Sequence, residues 1–156
     1  MHREMRRKDR QSTPEEALEL LNRGEYGILA TADSSNQPYA VPLSFACGDN
    51  CIYFHCAKEG HKLDNIKNNK KVSFAVIGDT QVLPDKFSTS FESVVVFGKA
   101  TFVVDDSEKV VALKALIEKY SKDFMKEGLE YIHRAAAGTC VVKIDIEHMT
   151  GKNREE

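Results

Sequence analysis

Two strand-like segments separated by only three residues constrain this fold more than anything else in the chain. Residues 39–47 set Tyr39, Val41, Leu43 and Phe45 against Ala40, Pro42, Ser44 and Ala46. Gly48-Asp49-Asn50 follows, and Cys51-Ile52-Tyr53-Phe54-His55-Cys56 begins at once. Parallel neighbours need a crossover of a dozen or more residues, so this link must be an antiparallel hairpin. Similar segments recur at Tyr26 to Ala32, Val72 to Ile77, Ser93 to Val104 (broken by Gly98) and Cys140 to Ile146, where Val142, Ile144 and Ile146 alternate with Lys143 and Asp145. Six strands joined mainly by short links predict a mainly β (α+β) chain. An antiparallel barrel suits them better than an open parallel sheet.

Helices are predicted around the barrel. Thr13-Pro14-Glu15-Glu16 reads as a capping box with proline at the first helical position, and Gly24 as the stop. A short helix is expected over Leu63-Asp64-Asn65-Ile66, a longer one capped by Ser107, and another from Tyr131 to Ala137. Residues 78–92, with Pro84, Phe87 and Phe91, are expected to form a long loop that shapes a ligand gap together with the helix after Ser107.

The 156 residues suit one domain with a sizeable core. A net charge of −2 gives no global reason to bind nucleic acid. Arg3, Arg6, Arg7, Lys8 and Arg10 cluster near the start, interrupted by Glu4 and Asp9, and residues 1–12 are expected to form a solvated basic arm. Residues 13–150 form the predicted domain and 151–156 a tail. No apolar run is long enough to span a bilayer and no hydrophobic leader is evident, so the expected location is cytoplasmic, with Cys47, Cys51, Cys56 and Cys140 reduced.

The stretch Ala57-Lys58-Glu59-Gly60-His61-Lys62 links a strand to the short helix. Unpaired amides at a helix N-terminus, the helix dipole and a lysine together make a pocket for phosphate. A solvated turn is the plainer alternative on local physics alone.

Three segments together are more specific. Tyr53-Phe54-His55-Cys56-Ala57-Lys58-Glu59-Gly60-His61-Lys62, Ser93-Val94-Val95-Val96-Phe97-Gly98 and Glu147-His148-Met149-Thr150-Gly151-Lys152 resemble, in order, the 5-nitroimidazole resistance proteins. Arg6-Arg7 and the helix from Pro14 are also similar to that family. It lies within the pyridoxamine 5'-phosphate oxidase-like superfamily. The resemblance implies a split β-barrel, a homodimer with FMN at the subunit interface, and reduction of a small electron-poor aromatic, with a nicotinamide as a possible electron donor. It implies that His61 and Lys62 hold the FMN phosphate and that Phe54 and His55 line the flavin. Val41, Pro42, Leu43 and Ser44 would meet its ring and ribityl chain, and Ser93 and Lys152 would touch the cofactor. His55 is the candidate proton donor. Two departures stand out: the arginine and second lysine that pyridoxamine phosphate oxidases carry on the Tyr39–Phe45 strand are absent, and Cys56 replaces a glycine common in relatives.

Competing readings are weaker. A flavin- or haem-binding module without turnover shares the barrel. Cys47, Cys51, His55, Cys56 and His61 are of types that zinc accepts, but Cys56 has the opposite strand parity to Cys51 and His55, and no Cys-x2-Cys knuckle exists. No metal is therefore expected. A Cys47–Cys51 disulfide across the turn is geometrically possible but disfavoured in a reducing compartment. No nucleophile elbow, Walker loop or dinucleotide fingerprint is present.

Overall fold

A computed structural model describes residues 1–155. Its strands are β1 (Gly27–Ala32), β2 (Pro38–Leu43), β3 (Ala46–Gly48), β4 (Cys51–Cys56), β5 (Lys71–Leu83), β6 (Ser88–Phe102) and β7 (Cys140–Arg154). Its α-helices are α1 (Pro14–Arg23), α2 (His61–Asn68), α3 (Asp106–Tyr120) and α4 (Met125–Ala135). All strand pairs are antiparallel, in the order β2-β1-β5-β6-β7-β4-β3.

That order forces the sheet to curl. β2 and β3 lie at opposite edges, yet only Ser44 and Phe45 separate them in sequence. A flat seven-stranded sheet would hold its edge strands about 29 Å apart at ~4.8 Å per strand. The three steps from Leu43 to Ala46 span at most about 11 Å. The sheet therefore closes on itself with a seam at residues 44–45, which makes it a split barrel.

The seam explains why the six expected strands are seven. Phe45 and Ala46 are both buried, so the alternation slips phase there. Tyr120, at the end of α3, supplies the missing partner: its hydroxyl accepts from the Phe45 N–H at 3.0 Å. Its single proton can go to the carbonyl of Glu25 (2.6 Å) or of Phe45 (2.9 Å).

Four consecutive residues of β4 are buried because both faces are covered. Ile52 and Phe54 enter the barrel interior with Leu21, Phe45 and Phe74, while Cys51 and Tyr53 lie with Leu113, Leu116 and Ile132 of α3 and α4. The N-terminus of α1 has the expected capping box: the Thr13 hydroxyl accepts from the Glu16 N–H (3.2 Å) and Glu16 accepts from the Thr13 N–H (2.9 Å).

Several expected boundaries differ. Residues 78–92 are the arms of a hairpin, with Pro84–Lys86 as its turn and Phe87 in a left-handed conformation at φ 50°. The register slips between Ile77 and Thr80, where Glu92 folds in to accept from the Asp79 N–H at 3.1 Å and to pair with Arg23. Asp105, not Ser107, caps α3 by accepting from the Glu108 N–H. α4 starts at Met125, upstream of the expected Tyr131. Residues 151–154 continue β7, with Lys152 opposite Ser93. The basic arm lies along that strand: Gln11 bridges to Lys152, Ser12 donates to the Gly151 carbonyl, and the His2 ring stacks on His148.

α2 is held by one buried polar contact, in which the Asn65 amide donates to the Thr31 hydroxyl at 3.0 Å; the two residues are 2% and 4% exposed. Asn65→Ala would leave Thr31 without its partner and is expected to cost about 1–3 kcal/mol. Urea denaturation checks this, and an unchanged midpoint would remove the contact from the account.

Candidate functional site

The β4–α2 corner is built by a glycine and an uncapped helix. Gly60 adopts φ 153°, a conformation that side chains resist, and the space where its Cβ would stand is open. No side chain caps α2, so its first amides face outward without a protein partner there. Lys62 is half-buried on the first turn. It lies close enough to Cys56 to favour the thiolate, although burial and the neighbouring Cys140 outweigh it and push the Cys56 thiol up to about 11.

His61 is exposed, and its ring stacks on Tyr39 with centroids 4.0 Å apart. Tyr39 thus ties the corner to β2. Sequence reasoning did not place Tyr39 in the site, because nothing local to either residue signals that pairing.

β2 is an edge strand, which suits Pro42 because proline has no N–H to give to a ladder. Pro42 is exposed opposite Ile28, and no bulge interrupts the pairing. The outer side of β2 presents unpaired backbone groups. Val41 and Leu43 are half-buried against the barrel core, so their side chains are committed to packing. Phe54 is fully buried in the barrel interior. Its ring is committed to core packing.

Ser44 and His55 meet at a cavity of about 610 Å³, which lies between the end of β4 and α3–α4. Leu113, Leu116, Ile117 and Ile132 make much of its wall apolar, with Tyr120, Tyr131 and Arg134 among its polar-tipped residues. His55 is exposed at the cavity rim, and the desolvation it does suffer there lowers its pKa below the ordinary histidine value, which favours the neutral ring. Phe124 and Tyr131 are 63% and 61% exposed here. The gap is shaped by α3 and α4, whereas the 78–92 hairpin, also expected to shape it, is absent from the wall.

Ser93 and Lys152 form a separate place. They are cross-strand partners on β6 and β7 and line a cleft of about 260 Å³ with Arg6, Arg7 and Thr150. Lys152 Nζ also lies 5.4 Å from the Phe91 ring centroid. Arg7 is engaged by Asp9 at 2.6 Å.

The candidate zinc ligands Cys47, Cys51, His55, Cys56 and His61 do not come together as one set. Cys47 packs against the barrel core and Cys51 into the α3–α4 cluster. No group of three or more His, Cys, Asp or Glu side chains that could hold a metal occurs among the described residues. No helix among them is long and apolar enough to cross a membrane.

A candidate 5-nitroimidazole antibiotic resistance protein from Bacteroides thetaiotaomicron VPI-5482 is 25% identical to this chain, covering 91% of it and 85% of its own length at a TM-score of 0.79. A conserved hypothetical protein from Mycobacterium tuberculosis shares the fold at TM-score 0.82, with 18% identity over 96% of this chain and 90% of its own. The FAD and heme binding protein of Mycobacterium smegmatis does so at TM-score 0.79, with 20% identity over 94% and 74%. Comparison with curated protein sequences returns no match. The sequence pattern of the pyridoxamine 5'-phosphate oxidase family matches residues 13–153, from the cap of α1 to the end of β7. The chain therefore belongs to the pyridoxamine 5'-phosphate oxidase family.

Proposed function

We propose that this protein is an FMN-dependent reductase that works as a homodimer on small, flat, electron-poor aromatics, nitroimidazoles among them. The observation that carries this reading is the β4–α2 corner, where Gly60, an uncapped helix and half-buried Lys62 lie on the same strand-to-helix connection as His55 of the large cavity. One helix terminus with one lysine and one histidine suits a single dianionic phosphate, which favours FMN over a dinucleotide. The fold is shared with a protein described as binding FAD and heme, and 25% identity links the chain to a candidate nitroimidazole resistance protein.

Two separated half-sites support the homodimer. The corner adjoins the Cys56–Cys140 pair at the start of β7, while Ser93 lies opposite Lys152 near its other end. The strand from 140 to 152 has a contour of about 40 Å at ~3.3 Å per residue. FMN is far shorter. If both places touch one cofactor, as the family resemblance implies, they do so from different subunits.

Bound flavin would supply the redox chemistry. The chain would anchor its phosphate, offer β2 backbone groups to its ring, and keep water from the apolar cavity wall. His55, whose lowered pKa favours the neutral ring, would orient substrate through one N–H and become a better proton donor as pH falls. His55→Leu is expected to lower nitroaromatic turnover about 2- to 10-fold at pH 7, the loss of roughly one hydrogen bond. The wild-type advantage should widen as pH falls through the histidine range. Superimposable pH–rate profiles would exclude His55 from the reaction.

A module that binds flavin or haem without turnover is the second reading, favoured by the fold it shares with the FAD and heme binding protein. An absorbance spectrum of the purified protein identifies the group. Stopped-flow mixing with a nicotinamide then tests turnover: bleaching of the flavin band supports the reductase, and a stable oxidised spectrum supports the module.

A further inference from the structure

Cys56, the last residue of β4, stands directly opposite Cys140, the first residue of β7. Directly opposed residues of an antiparallel pair share a face, with Cα atoms about 4.5 or 5.5 Å apart according to the type of pair. Both spacings fall within the roughly 4.4–6.8 Å that a disulfide spans. The two side chains are half-buried and pack against the same core cluster. Cys140 is also near enough to raise the Cys56 thiol's pKa.

The other cysteines lack this arrangement. Cys47 lies opposite Ile52, and Cys51 opposite Gly48 and Asp145. We infer that Cys56 and Cys140 form a reversible dithiol–disulfide site, oxidised by low-molecular-weight disulfides, that cross-links the ends of β4 and β7.

In that step one cysteine thiolate attacks a sulfur of the oxidant, forming a mixed disulfide and releasing one thiolate. The second cysteine, already held against the first, displaces the other half. One protein S–S bond forms and one oxidant S–S bond breaks. The two protons leave the cysteines and end on the two released thiols. Exchange is expected to be faster at higher pH, because burial keeps Cys56 mainly protonated at neutrality.

The bond would tether the base of the β4–α2 corner, just before Gly60 and Lys62. That consequence rests on the flavin reading; the cross-link itself does not. The test incubates the full chain with glutathione disulfide and measures intact mass and free thiols under denaturing, non-reducing conditions. The expected product has lost two hydrogens, retains two of its four thiols, and yields a peptide joining Cys56 to Cys140. Cys56→Ser and Cys140→Ser should each stop at a single glutathione adduct on the remaining partner, and Cys47→Ser should cross-link like the parent. A parent that accumulates lasting mixed disulfides, or that joins Cys47 to Cys51, overturns the assignment. Flavin absorbance of the same samples separates the two claims. A flavin-loaded protein without the cross-link sinks only the dithiol site, and a cross-linked protein that takes up no flavin sinks only the cofactor reading.

Discussion

Lys62→Ala is expected to weaken FMN binding by about 1.5–3 kcal/mol, a rise in Kd of roughly 10- to 150-fold. That range is for a hydrogen bond to a charged group, and Lys62 is placed to make one. It sits on the first turn of α2 beside amides that no side chain caps. Lys62 is half-buried, and alanine, a good helix former, removes the charge without disturbing the helix. Lys58 is the natural control: it is exposed in the loop before Gly60, and its replacement should change Kd much less. Isothermal titration of the apoprotein reads both variants. Equal affinities for wild type and Lys62→Ala would detach the lysine from the phosphate.

Phe74→Ala is expected to destabilise the fold by about 3–5 kcal/mol, among the larger single-residue effects in this chain. The Phe74 side chain is fully buried and meets Phe45 edge-on at 4.9 Å. It also lies under Gly27, where a Cβ would come within 2.2 Å of the ring. The ring thus joins β5, β1 and the seam residue Phe45, and its loss leaves a cavity that three elements would have to fill. Phe87→Ala provides the contrast. Phe87 is 97% exposed, and its replacement should stay within about 0.5 kcal/mol. Guanidinium melts of the two variants should differ accordingly; similar midpoints would contradict the core described above.

Signals carried by neighbouring residues were legible in the sequence. The Thr13–Glu16 capping box, the 48–50 hairpin and the glycine that opens α2 each depend on residues a few positions apart. The seam at Ser44–Phe45 was not legible, because it is satisfied by Tyr120 on another element. Residues 78–92 read as a loop because the polar outer positions of a protruding hairpin lack the buried alternation that marks a strand. Asp105 took the α3 cap because its carboxylate reaches both the Glu108 N–H and the Ser107 hydroxyl. In the site, Ser44 with His55 and Ser93 with Lys152 came together as pairs. Phe54 packs in the core because β4 is covered on both faces. The helix after Ser107 was expected at the gap and α3 lines it, whereas Tyr39 and the α4 part of the wall were missed because they approach the site only through tertiary packing.

Native mass spectrometry of the purified protein tests the central claim most directly, since it weighs subunits and ligand together. The account predicts a dimer carrying two FMN molecules, with flavin lost when the dimer dissociates. A monomer that retains flavin, or a dimer that takes up none when FMN is supplied, would contradict it.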